Sequence, residues 1–138
     1  MISVRVLGPV AVFGEDGVEG ALSPQLRRLL GLLVVADGAP VSADRLAEYV
    51  AEGNVDGSTV RTAVSRLRKV LGDRVESVDG GYRLAVGPDG LDSARFEQLS
   101  ERARSATGAV EVAVLRKAVE LWRGPTLGDL AGEEWAAG

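Results

Sequence analysis

Ser58-Thr59-Val60-Arg61-Thr62-Ala63-Val64-Ser65-Arg66-Leu67-Arg68-Lys69-Val70-Leu71, stopped by Gly72, is the stretch on which the reading of this chain turns. At 100° per residue, Val60, Ala63, Val64, Leu67, Val70 and Leu71 fall on one side of a helix. Ser58, Arg61, Thr62, Ser65 and Lys69 fall on the other, with Arg66 and Arg68 on the shoulders. One face can pack while the other offers guanidinium, ammonium and hydroxyl donors. Residues 56–74 hold five cations (Arg61, Arg66, Arg68, Lys69, Arg74) against two carboxylates (Asp56, Asp73), a local net charge of +3. At a rise of about 1.5 Å per residue the helix is about 21 Å long. That length suits a B-DNA major groove about 12 Å wide.

The elements on either side give this helix its context. Downstream, Arg74–Val78 and Tyr82–Val86 flank Asp79-Gly80-Gly81, the pattern of a hairpin with a tight glycine turn. Upstream, Ser42 caps a second helix running to about Ala51, with Leu46, Tyr49 and Val50 on its apolar side, and residues 52–57 read as a loop. Before that, Ser23-Pro24 starts a first helix that runs to about Asp37 and stops at Gly38. Leu26, Leu29, Leu30, Leu33 and Val34 form its stripe. Residues 2–7, Val10–Phe13 and about Val18–Leu22 read as short strands of a small antiparallel sheet, with Gly14-Glu15-Asp16-Gly17 as a turn between the last two. Helix, helix, basic amphipathic helix and hairpin in that order make a helix-turn-helix with a wing.

Gly87-Pro88-Asp89-Gly90 is the sharpest break in the chain. After it, Phe96, Leu99 and Ala103 stripe one helix, and Val110, Val114, Ala118 and Leu121 stripe another. The fold class expected is therefore α+β: a winged helix-turn-helix with an N-terminal antiparallel sheet and a C-terminal hairpin, followed by a short all-α segment.

Composition narrows the chemistry. The 138 residues include no Cys and no His, and their formal net charge is −4. Without Cys there is no disulfide, zinc-thiolate site or thiol nucleophile. Without His the commonest general base and metal ligand is missing, and a Ser-His-Asp triad cannot be built. Asp44 and Glu48 stand four apart, as a carboxylate pair would, but a solvated helix face accounts for them. The glycines at 14, 17 and 20 open no long helix, so they read as turns and not as a phosphate loop. An enzyme is not expected, nor a cofactor or a metal. The start Met1–Arg5 does not read as a signal peptide. The longest apolar run, Leu29–Ala36, falls far short of the roughly 20 residues that span a bilayer. A soluble, cytoplasmic protein with no membrane partner is the expectation.

The partner expected from the residues is double-stranded DNA. Arg61, Thr62, Ser65 and Lys69 would read the major groove, and Arg66 and Arg68 would anchor phosphates. Arg74 and Arg83, which flank the hairpin, would meet the backbone or else serve as ordinary strand surface. The alternative is a protein-interaction module, a winged helix that contacts polymerase or a partner regulator with little DNA affinity. The acidic total charge fits that alternative.

Several strings carry a resemblance. Val4-Arg5-Val6-Leu7-Gly8-Pro9-Val10, Gln25–Leu30, Val41–Leu46, Val64-Ser65-Arg66-Leu67-Arg68-Lys69-Val70-Leu71-Gly72 and Gly81-Tyr82-Arg83-Leu84 resemble the Streptomyces antibiotic regulatory protein family. Leu91–Phe96 and Leu121-Trp122-Arg123-Gly124-Pro125-Thr126-Leu127 resemble the opening of that family's bacterial transcriptional activator domain. The resemblance implies an OmpR-type winged helix over residues 1–87, with a four-stranded N-terminal sheet, and a partial helical activator domain over 91–138. It implies a transcriptional regulator of a biosynthetic gene cluster, binding promoter direct repeats as side-by-side protomers, a homodimer on DNA, and recruiting RNA polymerase. Where the family carries a Leu-Trp-Gly string after the second helix, this chain reads Tyr49-Val50-Ala51-Glu52-Gly53, and the following loop is about three residues shorter. That loop is the one OmpR-type proteins use to touch polymerase. The family's helical domain also continues well beyond Trp135. Two helices cannot bury their apolar faces alone. A longer array, folding back onto the winged helix, or a second chain would each meet that need.

Overall fold

The computed structural model describes residues 2–14, 16–17, 19–50, 57–87, 89–130 and 132–133. Residues 52–56 of the loop expected at 52–57, Ala51, Glu15, Val18, Pro88 and Trp135 lie outside the described residues, and Gly57, expected in that loop, is the first residue of a helix.

The chain begins as an antiparallel sheet of β1 (Ser3–Arg5), β2 (Ala11–Phe13) and β3 (Glu19–Gly20), in that order. Val4 and Val12, directly paired, are both fully buried, which fixes the register because a one-residue slip would turn them to solvent. The described sheet has three strands, not the four implied by the resemblance. A fourth place at its edge is taken by an isolated parallel bridge between Val4 and Leu91.

α1 (Pro24–Val35) starts as the sequence indicates, with Pro24 in the first turn and Ser23 Oγ accepting from the Leu26 N–H at 3.2 Å. It stops at two left-handed residues, Asp37 (φ 53°) and Gly38 (φ 84°). Val41 and Ser42 then form a short strand, β4, which the sequence reading assigned to a helix cap alone. Ser42 serves both roles, since its Oγ also accepts from the Arg45 N–H at 3.1 Å at the start of α2 (Ala43–Val50). α3 spans Gly57–Leu71 and passes through a 3-10 turn, Gly72–Arg74, into β5 (Val75–Val78) and β6 (Gly81–Leu84).

The second sheet runs β4-β6-β5. Gly81 is required there: a Cβ at that position would stand 2.1 Å from the Val41 carbonyl oxygen, so only glycine lets β4 lie against the hairpin. Leu29, Leu30, Leu33, Leu46, Val60, Val64, Leu67 and Leu71 form the centre of the core, with Val4, Val6 and Val12 from the first sheet and Val75 and Leu84 from the hairpin.

α4 (Asp92–Arg104) and α5 (Gly108–Glu120) pack on each other through Leu99, Ala103, Val114 and Ala118, with Phe96 and Leu121 at the edge. Val110, expected on this stripe, is 56% exposed. It lies at the first turn of α5, turned away from the α4 seam. Beyond α5 the chain returns to the first sheet. The Arg123 N–H donates to the Leu7 carbonyl and the Leu127 N–H to the Val6 carbonyl, both at 2.7 Å, and Leu127 and Leu130 enter the main core. The two ends of the helical pair are thus tied to the winged helix, while Val110, Val112, Leu115 and Val119 of α5 stay exposed, so this attachment does not bury the apolar face of α5. No helix among the described residues is long and apolar enough to cross a membrane.

Candidate nucleic-acid interface

α3 owes its helical form to its apolar stripe. Val60, Ala63, Val64, Leu67 and Leu71 are all buried against α1, α2 and the hairpin, while Val70, half-buried, lies close to Gly20 of β3. Burial of one side dictates which residues face outward. Arg61, Thr62, Ser65, Arg66 and Lys69 are exposed. Among the described residues, none of the three cations in this set forms an ion pair. Five donor-bearing side chains at i, i+1, i+4, i+5 and i+8 therefore share one wet strip, and their charge is free to act on an incoming phosphate. The Ser58 side chain lies outside the described residues.

The other three arginines named from sequence are tethered. Arg68 is half-buried: Nε donates to the Val75 carbonyl at 3.0 Å, Nη2 donates to Ser77 Oγ at 2.7 Å, and the guanidinium lies 5.8 Å from the Tyr82 ring centroid. Arg74 sits in the 3-10 turn, with Nη1 donating to the Leu71 carbonyl at 3.2 Å. Arg83 pairs across the hairpin with Glu76, its directly opposite residue, at 3.1 Å. The site thus divides into a free set on the outer strip of α3 and a tethered set where α3 meets the hairpin.

Asp92 matters to the architecture and was not singled out from sequence. It is 7% exposed, the one buried charged residue among those described. Its two carboxylate oxygens accept from the Val6 N–H at 2.8 Å and the Leu7 N–H at 3.0 Å. It also stands in the first turn of α4, where the helix dipole favours a negative charge. An acid just after the Gly-Pro-Asp-Gly break was the available signal. Its acceptors' partners lie 85 and 86 residues upstream, so no local pattern reveals them. Asp44 and Glu48 are both exposed on α2.

Two family models match the chain in tandem: "Transcriptional regulatory protein, C terminal" over residues 17–84 and "Bacterial transcriptional activator domain" over residues 91–138. The regulatory protein AfsR of Streptomyces coelicolor is 35% identical over 136 residues, covering 92% of this chain and 14% of AfsR. The transcriptional regulator RedD of the same organism is 32% identical over 149 residues, covering 96% of this chain and 42% of RedD. The chain thus spans less than half the length of either relative. Among solved structures, Mycobacterium tuberculosis EmbR in complex with a low-affinity phosphopeptide superposes with a TM-score of 0.82 at 26% identity. That match covers 99% of this chain and 40% of EmbR.

Proposed function

We infer what this protein does from the family to which it belongs, the Streptomyces antibiotic regulatory proteins, transcriptional regulators that join an OmpR-type winged helix to a bacterial transcriptional activator domain. Within that family this chain is a sequence-specific DNA-binding regulator, residues 1–87 forming the winged helix and 91–138 part of the activator domain. It works in the cytoplasm on promoters of a biosynthetic gene cluster and carries no enzymatic activity. The observation that supports the reading is the outward strip of α3, where Arg61, Thr62, Ser65, Arg66 and Lys69 are exposed and their charges unpaired among the described residues. Arg61 and Lys69 contribute base or phosphate contacts along the groove, Thr62 and Ser65 donate hydroxyls, and Arg66 anchors the backbone. Arg74, held by a neutral carbonyl, adds positive potential beside the groove, while the Glu76 carboxylate offsets the charge of Arg83.

Direct repeats, protomers side by side on DNA and a contact with RNA polymerase complete the proposal. Polymerase is its protein partner.

The test is fluorescence anisotropy with a duplex that the protein selects from random sequence. Wild type should bind with an affinity that falls steeply with salt. Arg61→Ala and Lys69→Ala should each weaken binding by about 1–3 kcal/mol, and loss of a phosphate contact should lower the salt slope by about 1. Absence of salt-dependent binding at about 50 mM salt sinks the reading. A protein partner captured equally well by wild type and by the Arg61/Lys69 double variant would then favour the interaction-module alternative.

A further inference from the structure

The geometry points to Arg68 as the positioning residue of the wing, not a DNA contact, a role that rests on the DNA-binding reading above. Arg68 leaves α3 on the side facing the hairpin, and its guanidinium makes three contacts there. Nε and Nη2 lie on one edge of the planar fork and point to two different acceptors, the Val75 carbonyl at 3.0 Å and Ser77 Oγ at 2.7 Å. The π face of Tyr82 lies 5.8 Å away. Val75 and Ser77 belong to β5, and Tyr82 stands opposite Ser77 on β6, so one side chain grips both strands of the wing. Tyr82 also pairs with Val41 of β4, which ties the gripped hairpin to the strand leading into α2.

The consequence is geometric. α3 and the wing must meet DNA together, one in the major groove and the other beside the backbone, so the angle between them sets which phosphates the wing can reach. Apart from the continuous backbone through Gly72–Arg74, the Leu71, Val75 and Leu84 core contacts hold the base of the hairpin. Further out, β4 holds β6 through the Val41–Tyr82 and Ser42–Gly81 pairs and the Ala43 N–H on the Gly80 carbonyl, and Arg68 is the side-chain link from α3 to β5, at Ser77. A lysine at this position keeps the charge but carries one ammonium on a flexible stem, and so cannot span two acceptors along a rigid edge.

The experiment compares wild type, Arg68→Lys, Arg68→Ala, Ser77→Ala and the Arg68→Ala/Ser77→Ala double variant. Two readouts are used. The first is amide hydrogen exchange of residues 75–84 in the protein without DNA. The second is interference footprinting on the selected duplex, with guanine methylation reporting the major groove and phosphate ethylation reporting the wing flank. A positioning role predicts that Arg68→Lys behaves like Arg68→Ala, with hairpin exchange faster by about tenfold and DNA affinity weaker by about tenfold. Interference should vanish at the wing flank and persist at the major-groove guanines, a split that general loss of structure would not produce. Ser77→Ala should fall between wild type and Arg68→Ala, and the double variant should match Arg68→Ala. Wild-type affinity and wild-type hairpin exchange in Arg68→Lys would overturn the proposal and make Arg68 an ordinary phosphate contact. If the wild-type protein binds no duplex, the DNA-binding reading fails by itself. Hairpin exchange then still decides the clamp, which is overturned if Arg68→Lys leaves that exchange unchanged.

Discussion

Among the described residues, 21 buried side chains join into one continuous core under the winged helix, while four (Leu99, Ala103, Val114 and Ala118) make up the core between α4 and α5. The first region encloses its core with two small sheets and three helices, so each apolar stripe meets another. The second is a helical hairpin with one narrow seam. It leaves Val110, Val112, Leu115, Val119 and Trp122 exposed on α5 and just beyond it. Such a hairpin cannot stand on its own burial. It is held by backbone attachments to the first sheet: the Val4–Leu91 bridge, the Asp92 carboxylate on the Val6 and Leu7 amides, and the return of Arg123 and Leu127 onto Leu7 and Val6. The winged helix builds its core from its own elements apart from Leu127 and Leu130, whereas the helical pair draws much of its order from its neighbour. Anything that docks on α5 would therefore be held in a set orientation to α3.

Substitutions that separate the two regions put this contrast to the test. The largest expected effect is Leu67→Ala, which empties a fully buried site where α3 meets the core. It should cost about 3–5 kcal/mol of unfolding free energy in urea, a large part of a domain's total, and abolish the cooperative transition near physiological temperature. Gly81→Ala should follow, at about 2–4 kcal/mol. Its methyl group cannot share space with the Val41 carbonyl, so β4 must part from the hairpin, visible as faster exchange at Tyr82. Asp92→Ala should cost about 3 kcal/mol by leaving two amides without their acceptor. Its signature differs from that of Leu67→Ala: hydrogen exchange should quicken across residues 92–120 and stay slow in α1 and α3. Uniform loss of protection would show that the two regions are a single cooperative unit. Glu76→Gln should leave stability within about 0.5 kcal/mol, because its pair with Arg83 is largely solvated. The freed guanidinium should raise DNA affinity about twofold to fivefold at low salt. The smallest change is Val119→Ser, on the exposed face of α5, at less than about 0.5 kcal/mol. A larger loss would mean that this face is covered in solution.

The stripes of α1, α2 and α3 were legible because a buried helix face repeats every three to four residues within a single window. Ser23 and Ser42 announced their helix starts, and Asp79-Gly80 its turn, with Gly80 at φ 76°. The outward strip of α3 was legible for the same reason: once Val60, Val64, Leu67 and Leu71 are assigned inward, Arg61, Ser65 and Lys69 have to point out. The sequence makes Arg68 a phosphate anchor and Arg83 a backbone contact or ordinary strand surface, because periodicity reports direction and says nothing of the partners each one finds. Val110 was placed on the α5 seam by spacing alone, and its exposure followed from where α4 comes to rest. β4 is two residues long, too short for alternation to show.

By itself, then, the sequence determined the order of elements, the apolar face of each helix in the winged half, and the cationic outer face of α3, since all of these depend on residues close together in the chain. Only the tertiary structure decided that Asp92 is spent on amides some 85 residues away, that the tail from Arg123 to Leu130 closes the first sheet, and which arginines are free and which are held. Those outcomes depend on which groups compete for the same donors and acceptors, and that is settled when distant segments meet.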